Sequence, residues 1–199
     1  TAFVTVTVSP TLVANAGTDV AICIGENTQL NGSGGVNYSW TPTATLSDAT
    51  IANPIATPTV TTTYVLSLTD ALGCSASDSV IVTVNPLPTV SAGEDKGICI
   101  SATNGTTPPT ETLDGSGVGT PLWTPATGLS ADNILNPIFS PLVDTEYVLT
   151  LTDANGCVNS DTTFVTVFGA VPTDAGTDTT ICPGESVTIG GNPSSIGAN

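Results

Sequence analysis

The chain has 199 residues and sets seventeen acidic groups against a single cation, Lys96, for a net charge of −16. Such a surface repels a phosphate backbone, which excludes nucleic acid and disfavours anionic membrane faces. His and Arg are absent, so only carboxylate pairs remain for acid/base work and none sits in a recognisable site; no enzymatic activity is expected.

In chain order, Phe3-Val-Thr-Val-Thr-Val8 reads as a strand, and it matches Val80-Ile-Val-Thr-Val84 and Phe164-Val-Thr-Val167. Residues 1–9 are therefore expected to be the last strand of a preceding repeat. Residues 10–87 form a first repeat. It opens on Ala16-Gly-Thr-Asp-Val-Ala-Ile-Cys23 and continues through Tyr38-Ser-Trp40, a strand ending at Thr41-Pro42. Asn53-Pro54 marks an irregular edge, because proline cannot donate to a ladder. Tyr64-Val-Leu-Ser-Leu-Thr69 alternates, sending Tyr64, Leu66 and Leu68 to one face. A hairpin turn, Asp70-Ala-Leu-Gly73, leads to Cys74 and a strand with Val80, Val82 and Val84 on one face.

A proline-containing linker, Asn85-Pro-Leu-Pro-Thr-Val-Ser91, opens a second repeat over 88–170. Trp123, Tyr147 and Cys157 follow Trp40, Tyr64 and Cys74 at a constant offset of 83, whereas Cys99 follows Cys23 by 76. Seven residues are thus inserted near 101–110. Ungapped, segments 40–99 and 123–182 are identical at roughly half their positions, which establishes a repeat. A period near 80 suits one small β-sandwich per unit. Residues 171–199 begin a third repeat with Ala175-Gly-Thr-Asp-Thr-Thr-Ile-Cys182. The reading is of two complete units with both ends truncated.

Thr, Ser, Gly, Asn and Pro dominate, as in disordered chains. The alternating strands between turn signals and the mean hydropathy of +0.29 argue for packed modules instead. No helical periodicity and no run of about 18 apolar residues is present. A signal peptide is also absent, which in a slice of a longer chain carries no information.

The cysteines occupy two phases: Cys23, Cys99 and Cys182 in one, Cys74 and Cys157 in the other. The expected bridges are Cys23–Cys74 and Cys99–Cys157, with Cys182 pairing beyond the chain. Closing a loop of about 51 residues would contribute roughly 4 kcal/mol in the chain-entropy model. Zinc is the competing reading, but two cysteines per unit without His make a poor site. Disulfides imply an oxidising, extracytoplasmic location.

Trp40 and Trp123 are expected in the cores, with a sugar-binding platform as the alternative. Tyr64 and Tyr147 are expected at the cores too, tethering the loops before their strands. Asp19, Asp70, Asp78, Asp95, Asp153, Asp161 and Asp178 recur in loops near the module ends. They are calcium candidates, although no dense acidic loop is present and turn-forming or solubility roles compete. No other metal or cofactor is expected.

The combined phrases Ala-Gly-x-Asp-x-x-Ile-Cys, Trp-Thr-Pro, Asn-Pro-Ile, Thr-x-Tyr-Val-Leu, Asp-Ala-x-Gly-Cys and Val-Thr-Val resemble the immunoglobulin-like, PKD-like repeats of very large surface proteins. Those proteins occur in gliding bacteria with type IX secretion. The resemblance covers essentially the whole chain. It implies an all-β array of tandem immunoglobulin-like sandwiches, about seven strands each, exported to the cell surface as part of an adhesin or gliding-motility protein. The function it implies is a non-enzymatic stalk or spacer, disulfide-stapled against load. A glycan- or protein-binding adhesion module and a subunit of a self-assembling fibre are the alternatives. Partners would be neighbouring repeats and surface glycans or proteins. The same resemblance suggests O-glycosylation at Ser79, Thr162 and Thr179, each following an Asp. Asn31, Asn37 and Asn104 match the N-linked acceptor pattern.

Overall fold

The computed structural model describes Val4 and residues 11–99, 111–169 and 180–184. The expected strand over 1–9, the insertion near 101–110 and most of the third repeat, including Asp178 and Thr179, lie outside the described residues.

These residues divide into two compact units. One is drawn from Thr1–Pro88 together with Asp153–Val158, the other from Thr89–Thr152 together with Asn159–Asn199. Among the described residues all regular structure is β-strand.

The first unit contains β1 (Val20–Cys23), β2 (Thr28–Gln29), β3 (Asn37–Thr41), β4 (Ile55–Ala56), β5 (Thr62–Thr69) and β6 (Ser75–Asn85). Four of these form a sheet in the order β1-β6-β5-β3. β3, β5 and β6 are antiparallel neighbours, whereas β1 runs parallel to β6, with Val20 opposite Val82 and Cys23 opposite Asn85. A second layer consists of β2 paired with β4 and a bridge from Asn15 to Ser33. Hydrogen bonds from Leu30 N–H to Pro54 O and from Gly32 N–H to Ala52 O carry that pairing past the proline.

Period-2 chemistry builds the core. Along β5 every second residue is buried, and Tyr64, Leu66 and Leu68 point inward with Val80 and Val82 of β6. Trp40, from β3, is fully buried among them, together with Leu30 and Ile22. Fully burying each large apolar side chain contributes about 1.5–3 kcal/mol.

The second unit repeats this plan with β7 (Val90–Ser91), β8 (Lys96–Cys99), β9 (Glu111–Thr112), β10 (Ser116–Gly117), β11 (Thr120–Thr124), β12 (Ile138–Phe139), β13 (Thr145–Thr152) and β14 (Val158–Phe168). The sheet order is β11-β13-β14-β8, and β8 is parallel to β14 with Cys99 opposite Phe168. β7 pairs with β10, and β9 with β12. Counting β9 and β10 as halves of one interrupted strand, the unit is a seven-stranded sandwich of immunoglobulin-like build. Asn136 fills the interruption, its Nδ2 donating to Leu113 O at 3.1 Å and Gly115 O at 3.2 Å.

The second core contains Trp123, Tyr147, Leu149, Leu151, Val165, Leu113, Ile98 and Phe139. At the position of Val80 it holds Thr163, which is buried but donates its hydroxyl to Glu94 O at 2.9 Å. That bond removes the cost of an unpaired buried hydroxyl.

A glycine of positive φ in each repeat is required by its surroundings. Gly34 and its counterpart Gly117 have φ of +114° and +139°. A Cβ there would lie 1.9 Å from Val13 O and 2.4 Å from Thr89 O, respectively. The segment entering each module passes close to this glycine.

The cysteine pairing differs from the sequence expectation. Cys23 is bonded to Cys157, across 134 residues of sequence, while Cys74, Cys99 and Cys182 are free and exposed. Cys23–Cys74 and Cys99–Cys157 are therefore not the bridges, and the sheet register gives the reason. Cys23 sits opposite Asn85, the last residue of β6, whereas Cys74 immediately precedes Ser75, the first. An eleven-residue strand separates them, or about 33 Å at its usual rise. A disulfide requires Cα atoms within about 7 Å. Cys99 and Cys157 flank β14 in the same way, at opposite ends of its eleven residues.

Candidate functional site

The Cys23–Cys157 bond is the candidate site. Each partner is placed by a local device that the sequence encodes. Cys23 ends β1, and Glu26 holds the turn that follows: its Oε2 accepts the Cys23 N–H at 2.9 Å, while its own N–H donates to Cys23 O at 3.0 Å. Ile24 N–H donates to Asn85 O at 2.9 Å, which extends the parallel pairing one residue past the cysteine.

Cys157 is placed by the turn Asp153–Gly156. Asp153 Oδ1 accepts the N–H groups of Asn155 and Cys157 at 2.8 and 2.9 Å, Asp153 N–H donates to Cys157 O, and Gly156 supplies a φ of +83°. Asp and Gly are the residue types such a turn demands, one for its side-chain acceptor and one for its positive φ. The Cα atoms of Cys23 and Cys157 are 5.6 Å apart, inside the normal disulfide range. Cys157 is completely buried. An open hollow beside the bond is lined by Ile24, Glu26, Leu87, Gly156 and Val158.

The turn carrying Cys74 is built identically. Asp70 Oδ1 accepts from Leu72 and Cys74 N–H at 2.9 and 2.8 Å, and Gly73 has a φ of +84°.

The aspartates that recur in the repeats, Asp178 aside, are brought to backbone amides. Asp78 Oδ2 accepts the Ala16 N–H and Asp161 Oδ2 the Ala92 N–H, each at 2.8 Å. Asp19 Oδ1 accepts from Ile81 N–H and Asp95 Oδ1 from Phe164 N–H, also at 2.8 Å. With Asp70 and Asp153 in the hairpin turns, six of the seven calcium candidates act as backbone acceptors. Among the described residues no three His, Cys, Asp or Glu side chains gather into a metal site. The N–H groups of Ala16 and Ser79 hold the Asp78 carboxyl below the usual carboxylate range. Sequence reasoning missed these clamps, although their signal was present: the pairs Asp78/Asp161 and Asp19/Asp95 recur at one phase each.

Trp40 and Trp123 are buried, which leaves neither ring face for a sugar. Their indole N–H groups donate to Ile51 O and Ile134 O, both at 3.0 Å. Tyr147 donates its hydroxyl to Thr127 O at 2.8 Å, and the Tyr64 hydroxyl bonds Thr45 Oγ1. The tethered segments are those following β11 and β3, not the loops directly before the tyrosine strands. Burial raises the Tyr147 phenol above its ordinary value.

Ser79 and Thr162 are exposed on β6 and β14. Lys96 donates to Asp114 at 2.7 Å, an exposed pair worth at most about 1 kcal/mol. No helix among the described residues is long and apolar enough to cross a membrane.

No family model matches the chain, and no curated protein matches it. Among solved structures it is similar to Sidekick-1 immunoglobulin domains 1–4, at 14% identity and TM-score 0.38, covering 77% of this chain and 47% of that one. It is also similar to the insect immune protein hemolin, at 14% identity and TM-score 0.39, covering 77% and 46%. Two immunoglobulin domains of DIP-gamma match at 10% identity and TM-score 0.37, covering 78% and 97%. The immunoglobulin-like assignment rests on the strand order and core described above.

Proposed function

We propose that this chain is a non-enzymatic spacer or stalk segment of a large, secreted bacterial surface adhesin or filament, with each immunoglobulin-like repeat as a load-bearing bead. The observation that carries the reading is the Cys23–Cys157 bond. It joins the end of one repeat's edge strand to the hairpin turn of the next repeat, bypassing 134 residues. A covalent shortcut of that span gives tension a route that leaves the residues between the two cysteines slack. Nothing in ligand binding or catalysis needs it.

A persistent disulfide supports an oxidising, extracellular setting. The acidic surface and the resemblance of the repeat phrases to those of surface proteins of gliding bacteria support the bacterial assignment. Neighbouring repeats are the proposed partners. The O-glycosylation sites proposed for this setting, Ser79 and Thr162, are exposed, as a glycan requires.

The test against an adhesive role is a glycan array probed with the oxidised chain. A stalk gives no saturable binding above a control immunoglobulin-like tandem. Saturable binding that disappears when residues 101–110 are replaced by a short Gly/Ser turn would overturn the stalk reading in favour of an adhesion module.

A further inference from the structure

The bond between Cys23 and Cys157 obeys a rule that the free cysteines can also satisfy. Each repeat offers two cysteine positions at opposite ends of its longest strand. The strand-end position is Cys23 or Cys99, and the turn position is Cys74 or Cys157. The observed bond takes the strand-end cysteine of one repeat and the turn cysteine of the next. Shifting the pattern by one repeat would pair Cys99 with the turn cysteine of a following repeat and Cys74 with the strand-end cysteine of a preceding one; both are free and exposed.

The turn holding Cys74 matches the one holding Cys157, and Cys99 shares its strand register with Cys23. Cys99 faces Phe168 in the parallel register in which Cys23 faces Asn85. The Asp70 turn reproduces the Asp153 turn bond for bond. Apolar surface lies beside both free thiols: Leu72 is 70% exposed near Cys74, and Phe168 is 54% exposed opposite Cys99. At the closed bond the comparable surface is the hollow of Ile24, Leu87 and Val158.

We infer that Cys99 and Cys74 are the open halves of two further clasps, each closing on the complementary cysteine of another repeat of this kind. Cys99 bonds a turn cysteine and Cys74 bonds a strand-end cysteine, never one of its own class. In a solution of this chain alone, the other repeat is supplied by a second copy, so Cys99 of one copy joins Cys74 of the next. The chemistry is exchange with a small-molecule disulfide. The Cys99 thiolate attacks oxidised glutathione, forming a mixed disulfide and releasing one glutathione thiol. The Cys74 thiolate of the other copy then attacks the Cys99 sulfur and releases the second. Two protein thiols are oxidised as one glutathione disulfide is reduced to two thiols.

The inference rests on the repeat symmetry and the observed bond, and its test reads covalent pairing alone, independently of any mechanical role. Two full-length variants are made, one with Cys99 as its only free thiol (C74S, C182S) and one with Cys74 (C99S, C182S). Each is incubated in a glutathione redox buffer alone, and both are then mixed at about 1 mM, the order of effective concentration between linked neighbours. Non-reducing gels and mass spectrometry of the linked peptides give the products. The mixture is expected to form Cys99–Cys74 heterodimer at about tenfold excess over the two homodimers together, a preference of about 1.4 kcal/mol. Random collision gives heterodimer equal to the summed homodimers; that result, or no dimer at all, overturns the inference. All the exchanged positions are exposed, so folding is retained, and near-identical far-UV spectra for both variants confirm it.

Discussion

Reducing the Cys23–Cys157 bond changes how far the chain extends under load, by an amount the structure sets. With the bond intact, tension entering at Thr11 reaches Cys23, crosses to Cys157 and leaves at Gly169. Only residues 11–23 and 157–169 of the described span can then be drawn out, roughly 90 Å at 3.3–3.6 Å per residue. The 134 residues between the cysteines stay slack. Once the bond is reduced they join the path and add about 450 Å of contour. The assay is single-molecule pulling from handles at the chain ends, with and without reductant, with the Cys23→Ser chain as the genetic equivalent. Oxidised molecules should release only that short length, even when β1 and β14 are pulled from their sheets; reduced ones should release in addition the length of the 134 bypassed residues. Equal unfolding lengths in the two conditions would refute the load-bypass argument. Two partial steps in the oxidised chain, each shortened by an in-repeat loop, would refute the pairing itself.

Four further outcomes follow from the same geometry. Cys23→Ser and Cys157→Ser should each lower stability to chemical denaturation by up to about 5 kcal/mol, the loop-entropy value for 134 residues. The double variant should lose no more than either single one, because the two share one bond. Trp40→Ala and Trp123→Ala, which empty equivalent buried sites, should each cost about 3–5 kcal/mol in denaturant titrations. Gly34→Ala places a Cβ 1.9 Å from Val13 O at a φ of +114°, so a loss of at least about 2 kcal/mol is expected in the same titration. Asp78 has its carboxyl lowered in the folded state by the Ala16 and Ser79 amides. Its stabilisation is therefore full above the unfolded carboxylate value and is lost as pH falls through the lower folded value. Asp78→Asn should be less stable than the parent at neutral pH, and thermal melts of the two should converge on acidification below about pH 4.

The sandwich cores were legible because their signal is local. Tyr64, Leu66 and Leu68 alternate within one strand, Trp40 recurs as Trp123, and period-2 geometry converts that pattern directly into a buried face. The aspartates were only half legible: their recurrence at one phase was visible, but the amides they serve lie 62 and 69 residues away for Asp78 and Asp161. Loop carboxylates at module ends read as metal ligands until a register pairs them with backbone donors. Phe139 in the place of Ala56, and Thr163 in the place of Val80, show the limit of equivalence. Repeats keep positions while the contents change, and Thr163 is tolerated because Glu94 O accepts its hydroxyl hydrogen bond.

The cysteines were misread for a deeper reason. A repeat reveals which residues are equivalent, not which equivalents meet. Pairing Cys23 with Cys74 and pairing Cys23 with Cys157 are indistinguishable by phase, since Cys74 and Cys157 are the same position one repeat apart. What separates them is whether β1 lies against the start or the end of β6. β1 runs parallel to β6 and ends opposite Asn85, so Cys23 stands where its own chain leaves the module, a full strand from Cys74. A non-local register of four residue pairs thus turns two internal staples into one link between repeats. An antiparallel β1 would have reversed the outcome: Cys23 would then have pointed toward the hairpin end, and the module would have been able to close on itself.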